Sequence, residues 1–384
     1  HEEIEIALLR LYEVSQNKLY QQLAFQFLDQ RGKHKPFFFL LHMLSENKRV
    51  DKRTKHYRER QNSFEKNIQE QKKVTQVPPP NKIPPARFAK TRFLMSALNG
   101  KYFQQHLPLT QQSIPVGHSV RFAYLQTAAA KYCRIDPSCE WLVSLQKSWT
   151  HMVTKRMAVT GGIGSLPYSE GFGRDYELDP QTMYAETCAA LGTMFWNWEM
   201  SLLTSDAAFA DLFEHQLYNA SLVGIGQQGN RYLYNNPLES SQGMQRQPWF
   251  EIPCCPSNLS RTWGKLGGYL FSYTSNEIWI HQLIGATLDF PFSTPLQLHT
   301  ERQLPWWGEY SLRIQTSHPQ TFSLHLRIPS WAGTYRILIN NQEWPATKWN
   351  STPNETTAHG YDPRQAFYVA IQREWNNGDR SEER

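Results

Sequence analysis

No apolar run in the sequence is long enough to cross a membrane. The longest, Phe37 to Leu44, falls well short of the roughly 20 residues that a spanning helix needs. Cysteine is scarce, with five in 384 residues. None of the five forms the Cys-x-x-Cys pairs of a zinc finger, and their density is too low for a small disulfide scaffold. Sparse cysteines without a pairing pattern suit reduced thiols. The glycine-rich run Thr160-Gly161-Gly162-Ile163-Gly164-Ser165 lacks a following Lys-Ser/Thr pair and a surrounding βαβ pattern, which excludes a phosphate-binding loop. An even spread of positive charge is missing as well. The formal net charge is +6, yet residues 46–92 alone carry 14 Lys and Arg against 5 Asp and Glu, about +9, so the remainder is slightly acidic. That basic stretch holds few aromatics and belongs to no nucleic-acid recognition fold, so no nucleic-acid partner is expected.

What the chain does have is an unusual grouping of its few thiols. Cys254 and Cys255 are adjacent and locked between Pro253 and Pro256, and Glu186-x-Cys188 lies some seventy residues earlier. Neighbouring cysteines rarely bridge each other, because a disulfide needs Cα atoms farther apart than one peptide link comfortably allows. Three thiols and one carboxylate make a plausible first shell for Zn2+, although small apolar cysteines also fill cores. The sequence after the pair favours chemistry. Pro256-Ser257-Asn258 followed by Leu259, Trp263, Leu266 and Leu270 reads as a helix start with proline in its first turn and an apolar face behind it. Cys254 and Cys255 then sit at a helix N-terminus, where a thiol's pKa falls. Upstream, Glu170 stands alone in the small and aromatic run Glu170-Gly171-Phe172-Gly173. It is either a general acid/base in a dry pocket or an ordinary loop carboxylate.

The periodicity of the chain changes once. Ile4, Ala7, Leu8, Leu11 and Tyr12 recur at helical spacing, Leu19, Leu23, Phe27 and Leu28 repeat the pattern until Gly32, and further helical faces run through 141–153, 182–203 and 209–222. From about Ile278 the period becomes two, in segments around 279–283, 311–314, 323–328, 335–339 and 367–371 separated by Pro, Gly and Asn turns. Strands following helices argue for two domains. Their expected limits are 1–275 and 276–384.

The strings Thr160-Gly-Gly-Ile-Gly-Ser165, Glu170-Gly-Phe172, Tyr184-Ala-Glu-Thr-Cys188, Tyr234-Asn-Asn-Pro-Leu238 and Trp249-Phe250 leading to Cys254-Cys-Pro256-x-Asn258 occur in the order found in glycoside hydrolase family 127. Earlier matches are His1-Glu-Glu-Ile-Glu5-x-Ala-Leu8, Asp29-Gln-Arg-Gly32 and Gly117-His-x-Val-Arg121. The chain thus resembles those β-L-arabinofuranosidases over about 1–41 and from 100 onward. No single string would suffice, but their order and spacing are hard to obtain by chance.

The resemblance implies an (α/α)6 toroid followed by an antiparallel β-sandwich. It implies a zinc held by Glu186, Cys188, Cys254 and Cys255, Cys254 as the nucleophile, and Glu170 as the acid/base of a retaining, exo-acting glycosidase. It places His118 and His1 in the sugar pocket and leaves Tyr232 or Tyr234 to hydrogen-bond a hydroxyl or the thiolate. Trp249, Trp306 and Trp307 are candidates to stack on sugars. The implied partner is a glycan ending in L-arabinofuranose or a similar furanose. Three other readings stay open: a non-catalytic carbohydrate-binding scaffold with a structural zinc, an inactive fragment of such an enzyme, and a hydrolase in which zinc activates water with Cys254 only a ligand. Against the family pattern, the chain opens at His1 inside an early motif and stops where a family sandwich would continue, so both ends are expected to be fragment edges and the toroid incomplete. A third difference is the basic stretch, at about 43–98, expected to be a disordered insertion. Pairing through the sandwich could give a homodimer, and the compartment is not legible, with the cytoplasm slightly favoured.

Overall fold

The computed structural model describes residues 2–34, 41, 45, 88–240, 244–292, 294–302, 304, 306–345 and 360–383. Among these, helices come first: α1 (Glu3–Ser15), α2 (Lys18–Asp29), α3 (Ala89–Leu98), α4 (Ser119–Ile135), α5 (Leu142–His151), α6 (Thr187–Thr204), α7 (Ala207–Gln216) and α8 (Cys254–Gly264). Several starts are set by a side chain that accepts a free N–H of the first turn. Asn17 accepts from Leu19 in α2, His118 Nδ1 from Val120 in α4, and Asp206 from Ala208 in α7.

Helices α4 and α6 are buried on almost every face, as expected of helices apolar or small all round. Phe122, Leu125, Ala128 and Ala129 of α4 pack with Cys188, Ala189, Trp196 and Met200 of α6 in one core. The outer helices α1 and α2 lean on it through Leu8, Leu9, Ala24 and Leu28. The site described below is built on the N-terminal ends of this inner pair and of α8.

Ten strands follow among the described residues: β1 (Phe271–Tyr273), β2 (Glu277–Ile280), β3 (Ala286–Phe290), β4 (Leu296–Arg302), β5 (Tyr310–Thr316), β6 (Gln320–Ile328), β7 (Ile337–Ile339), β8 (Gln342–Glu343), β9 (Phe367–Trp375) and β10 (Arg380–Glu383). They form a four-stranded sheet, β1-β2-β6-β9, and a six-stranded sheet, β3-β4-β5-β10-β7-β8. All pairs are antiparallel except β2 with β6. Three strands of the other sheet lie between those two in sequence, so the chain can re-enter the first sheet in its original direction. Alternation along the strands turns Ile278, Ile280, Leu324, Leu326 and Ile371 of one sheet toward Leu298, Leu312 and Ile314 of the other. Because β1 begins at Phe271, the boundary drawn at 275 falls after the first strand.

Two expectations are corrected. The stretch 43–98 is not without structure throughout: Ala89–Leu98 is helical. Its Arg92 makes two hydrogen bonds to the Glu177 carboxylate, at 2.6 and 2.8 Å, and Phe93 meets Tyr102 and Tyr168 edge-on. Good helix formers docked by these contacts outweigh the polar composition. Residues 46–87 of that stretch lie outside the described residues. The cysteines are also not all unpaired, since Cys133 at the end of α4 is disulfide-bonded to Cys139. A turn closes the gap, with Asp136 accepting from Ser138 and Cys139 N–H bonding to the Asp136 carbonyl. No helix among the described residues is long and apolar enough to cross a membrane.

Candidate functional site

Four segments distant in sequence converge. Helix α8 opens at Cys254, so Cys254 and Cys255 occupy its first turn as the sequence predicts. Glu186 is the residue preceding α6, and Cys188 lies in that helix's first turn. The segment 232–236 runs beside them. Thr187 N–H bonds to the Tyr234 carbonyl at 2.9 Å, and the Asn236 amide donates to the Ala185 carbonyl and the Thr187 hydroxyl. The fourth segment is the glycine loop, which packs on the start of α4.

In that loop, an added Cβ at Gly171 would sit 2.4 Å from the Gly117 carbonyl oxygen, which no side chain tolerates. The close approach lets Ser119 donate both its N–H (2.9 Å) and its hydroxyl (2.8 Å) to the Glu170 carbonyl. Glu170 itself has a φ of 49°, a left-handed conformation that costs a non-glycine residue about 1 kcal/mol or more. The two Ser119 bonds hold it there.

The strained backbone aims the Glu170 carboxyl inward. Tyr184 Oη donates to Glu170 Oε1 at 2.9 Å, and His118 Nε2 lies 3.0 Å from Oε2. His118 Nδ1 accepts from Val120 N–H, so the network assigns the ring proton to Nε2, which donates to Glu170. One ligand atom each from His118, Glu170 and Glu186 lies within 4.8 Å of the others. The same holds for Glu186, Cys188, Cys254 and Cys255. Glu186 thus joins the acid loop to the thiols.

The thiol group has the dimensions of a metal shell. Cys254 and Cys255 Sγ are 3.9 Å apart, Cys188 and Cys255 Sγ 3.3 Å, and Glu186 Oε1 lies 3.8 and 3.7 Å from Cys254 and Cys255. A tetrahedron around zinc with bonds of about 2.3 Å has edges of about 3.8 Å. Glu186 Oε2 is buried and has no hydrogen-bond partner among the described residues, the state of an oxygen that lacks a cation. The residues fit such an ion.

Electrostatics separate the three thiols. Burial pushes Cys255 and Glu186 well above their usual ranges, Glu186 further because Glu170 is near. Cys188 is pushed up through its interaction with Cys254. Cys254 moves the opposite way: bonds from Cys188 and Cys255, then from the Tyr234 hydroxyl at 3.0 Å, favour its thiolate. The α8 N-terminus adds to this. Four potential anions cannot all ionise in so dry a place without a counter-charge, and a divalent cation would supply it.

The structure therefore brings together Cys254, Cys255, Cys188, Glu186, Glu170, His118 and Tyr234. Tyr232 is not among them. Its hydroxyl donates to the Gly229 carbonyl at 3.2 Å and its ring meets Trp249 edge-on, while its backbone pairs with Gln247 and not with the thiol-bearing helices. His1 lies outside the described residues. Trp249, Trp306 and Trp307 are largely exposed. Tyr184 and Asn258 were legible only as letters within motifs. Nothing in the sequence showed that Tyr184 would meet Glu170, or that the Asn258 amide would reach Cys188 Sγ at 3.0 Å.

Comparison with known proteins adds a family. Residues 1–268 match the profile of the β-L-arabinofuranosidase GH127 catalytic domain, and residues 277–382 that of the GH127 middle domain. A non-reducing end β-L-arabinofuranosidase of Bifidobacterium longum is 29% identical over 359 residues, 89% of this chain and 48% of that protein. The crystal structure of a GH127 β-L-arabinofuranosidase from Geobacillus stearothermophilus T6 superposes with a TM-score of 0.77 at 28% identity, covering 100% of this chain and 53% of the other. A second GH127 β-arabinofuranosidase gives 0.74 at 26%, with 99% and 50% covered. The chain spans about half the length of these relatives.

Proposed function

The chain belongs to glycoside hydrolase family 127, the β-L-arabinofuranosidases, and on that premise we propose that it hydrolyses a terminal β-L-arabinofuranose, or a closely similar furanose, from a glycan with retention of configuration. The observation that carries this reading is one thiol with its thiolate favoured, Cys254, whose group is joined through Glu186 to that of a carboxyl group held at both oxygens, Glu170. In the first step Cys254 Sγ attacks the anomeric carbon, the carbon–sulfur bond forms, and the glycosidic carbon–oxygen bond breaks. The Glu170 carboxyl gives its proton to the departing oxygen. In the second step Glu170 takes a proton from water, whose oxygen attacks the same carbon and releases sulfur. Two inversions give net retention, with sulfur in the place that a second carboxylate fills in most glycosidases.

The other residues orient these two. Tyr184 and His118 fix the plane of the Glu170 carboxyl, and the Tyr234 hydroxyl restrains the Cys254 sulfur. Glu186, Cys188, Cys254 and Cys255 would hold zinc, which when bound supplies positive charge that keeps the sulfur deprotonated.

The test is covalent. An electrophilic L-arabinofuranose analogue should add its mass to the peptide containing Cys254, while Cys254→Ser and Glu170→Gln should each abolish sugar release with the fold intact. Turnover without any adduct on Cys254 would sink the thiolate mechanism.

A further inference from the structure

Behind the thiols lies a chain of hydrogen bonds that the proposed chemistry does not use. Asn258 is three residues after Cys255 and four after Cys254 on α8, so all three share a helix face. Its Nδ2 donates to Cys188 Sγ at 3.0 Å and to Tyr124 Oη at 2.9 Å. Tyr124 Oη also receives Arg261 Nη2 at 3.2 Å, and Arg261 Nη1 pairs with Glu3 at 2.6 Å. Asn258, Tyr124 and Cys188 are all buried, whereas Arg261 and Glu3 are about 45% and 40% exposed. A continuous path thus runs from the surface of α1 to the sulfur that α6 contributes.

We propose that Asn258 is a positioning residue for the thiol set, its amide fixing Cys188 while Tyr124 and Arg261 fix the amide. The inference rests on the metal reading above. Both amide hydrogens are committed, one to sulfur and one to oxygen, so the amide cannot turn without breaking a buried bond. The consequence is mechanical and electronic. The sulfur loses its freedom to rotate, and an N–H···S bond draws charge from it, leaving Cys188 a weaker electron donor than a bare thiolate. Outer-shell partners of this kind commonly change metal affinity by roughly 10–100-fold. The single helix that supplies Cys254 and Cys255 thereby also aligns the third thiol, which comes from α6.

The experiment uses Co2+ alone as the probe, without substrate. The parent should take up one Co2+ with a near-ultraviolet thiolate-to-cobalt charge-transfer band. Asn258→Leu, nearly isosteric but without a donor, should bind Co2+ about 10–100-fold more weakly, with that band moved to longer wavelength because the sulfur donates more charge. Tyr124→Phe should shift both readouts in the same direction by less. An Asn258→Leu protein with the parent's Kd and the parent's band would overturn the inference while leaving the metal site standing, since mere packing between helices would leave the band in place. Should Asn258→Leu fail to fold, Tyr124→Phe decides, and an unchanged Kd and band there overturn it equally. A folded parent that gives no charge-transfer band would overturn the metal reading itself, and this inference with it.

Discussion

Replacing Arg327 with methionine should destabilise the protein by about 3–5 kcal/mol and uncouple its two halves. Arg327, on β6, is completely buried. Its Nη1 donates to Asp211 at 2.6 Å, its Nη2 to Glu214, and its Nε to the His281 carbonyl at 2.6 Å. Asp211 and Glu214 belong to α7, so one guanidinium joins the sandwich to the helices. Asp211 further accepts from the Ser330 hydroxyl and from Tyr361. Methionine fills most of the volume but leaves two carboxyl groups buried without their cation, and that penalty sets the size of the effect. Against a total stability of roughly 5–15 kcal/mol the loss is large. Urea unfolding followed by tryptophan fluorescence should show one transition in the parent and two in Arg327→Met, with the midpoint of the sandwich lowered. The sign with pH also follows. Burial already raises the pKa of Asp211 despite Arg327, and without the arginine it rises further. Carboxyl groups whose folded pKa exceeds the unfolded value stabilise the fold at low pH and lose that contribution as pH rises, so the deficit should shrink from pH 7 toward pH 5. Adding Asp211→Asn and Glu214→Gln to Arg327→Met should recover most of the loss. A loss below about 1 kcal/mol with a single transition would refute the reasoning, because it would mean that water reaches the carboxylates.

Three further outcomes are expected. His281, buried against Ser272 and Tyr368, is pushed down to about 3 by burial and then by Arg327. The unfolded chain therefore takes that proton first, and stability should fall by up to about 1.4 kcal/mol per pH unit between roughly pH 6.5 and 3; a His281→Asn protein with the same slope would exclude this source. Native mass spectrometry should show one zinc on the parent and none on Cys188→Ser, whereas equal occupancy would remove Cys188 from the proposed shell. Tyr184→Phe should lower kcat about 10-fold at unchanged zinc content, the worth of one hydrogen bond to a charged group, and an unchanged kcat would show that His118 alone holds Glu170.

Order and period carried the fold. The switch from a spacing of 3.6 to a spacing of two is a local signal, so helices such as Thr187–Thr204 and strands such as Gln320–Ile328 could be placed from letters alone. Local signals also misled. Ala89–Leu98 was grouped with a polar stretch because its docking partners, Glu177 and Tyr168, are some 75 to 85 residues away. The Cys133–Cys139 bridge was missed because the turn at Asp136 that closes it is a matter of geometry. The parallel pair β2 with β6 is likewise invisible to alternation, which reports faces and not directions.

The site was legible to the extent that one segment carried it. Cys254, Cys255 and Asn258 share a helix whose start is written in Pro253 and Pro256, so their common face follows from spacing. Nothing comparable relates Glu170 to Glu186, because a loop with left-handed backbone at Glu170 and Ala185 joins them, and a left-handed residue reverses the direction that any pattern would extrapolate. Tyr232 and Tyr234 show the same limit from the other side. Either could have reached the thiolate by type, and only the register fixed by Thr187 N–H on the Tyr234 carbonyl decides for Tyr234. Spacing within an element can be read, whereas the meeting of elements is settled by hydrogen bonds between backbones that carry no residue-specific signal. The site lies at such meetings, with a carboxyl group from a strained loop, a thiol from a helix start and a phenol from the segment 232–236.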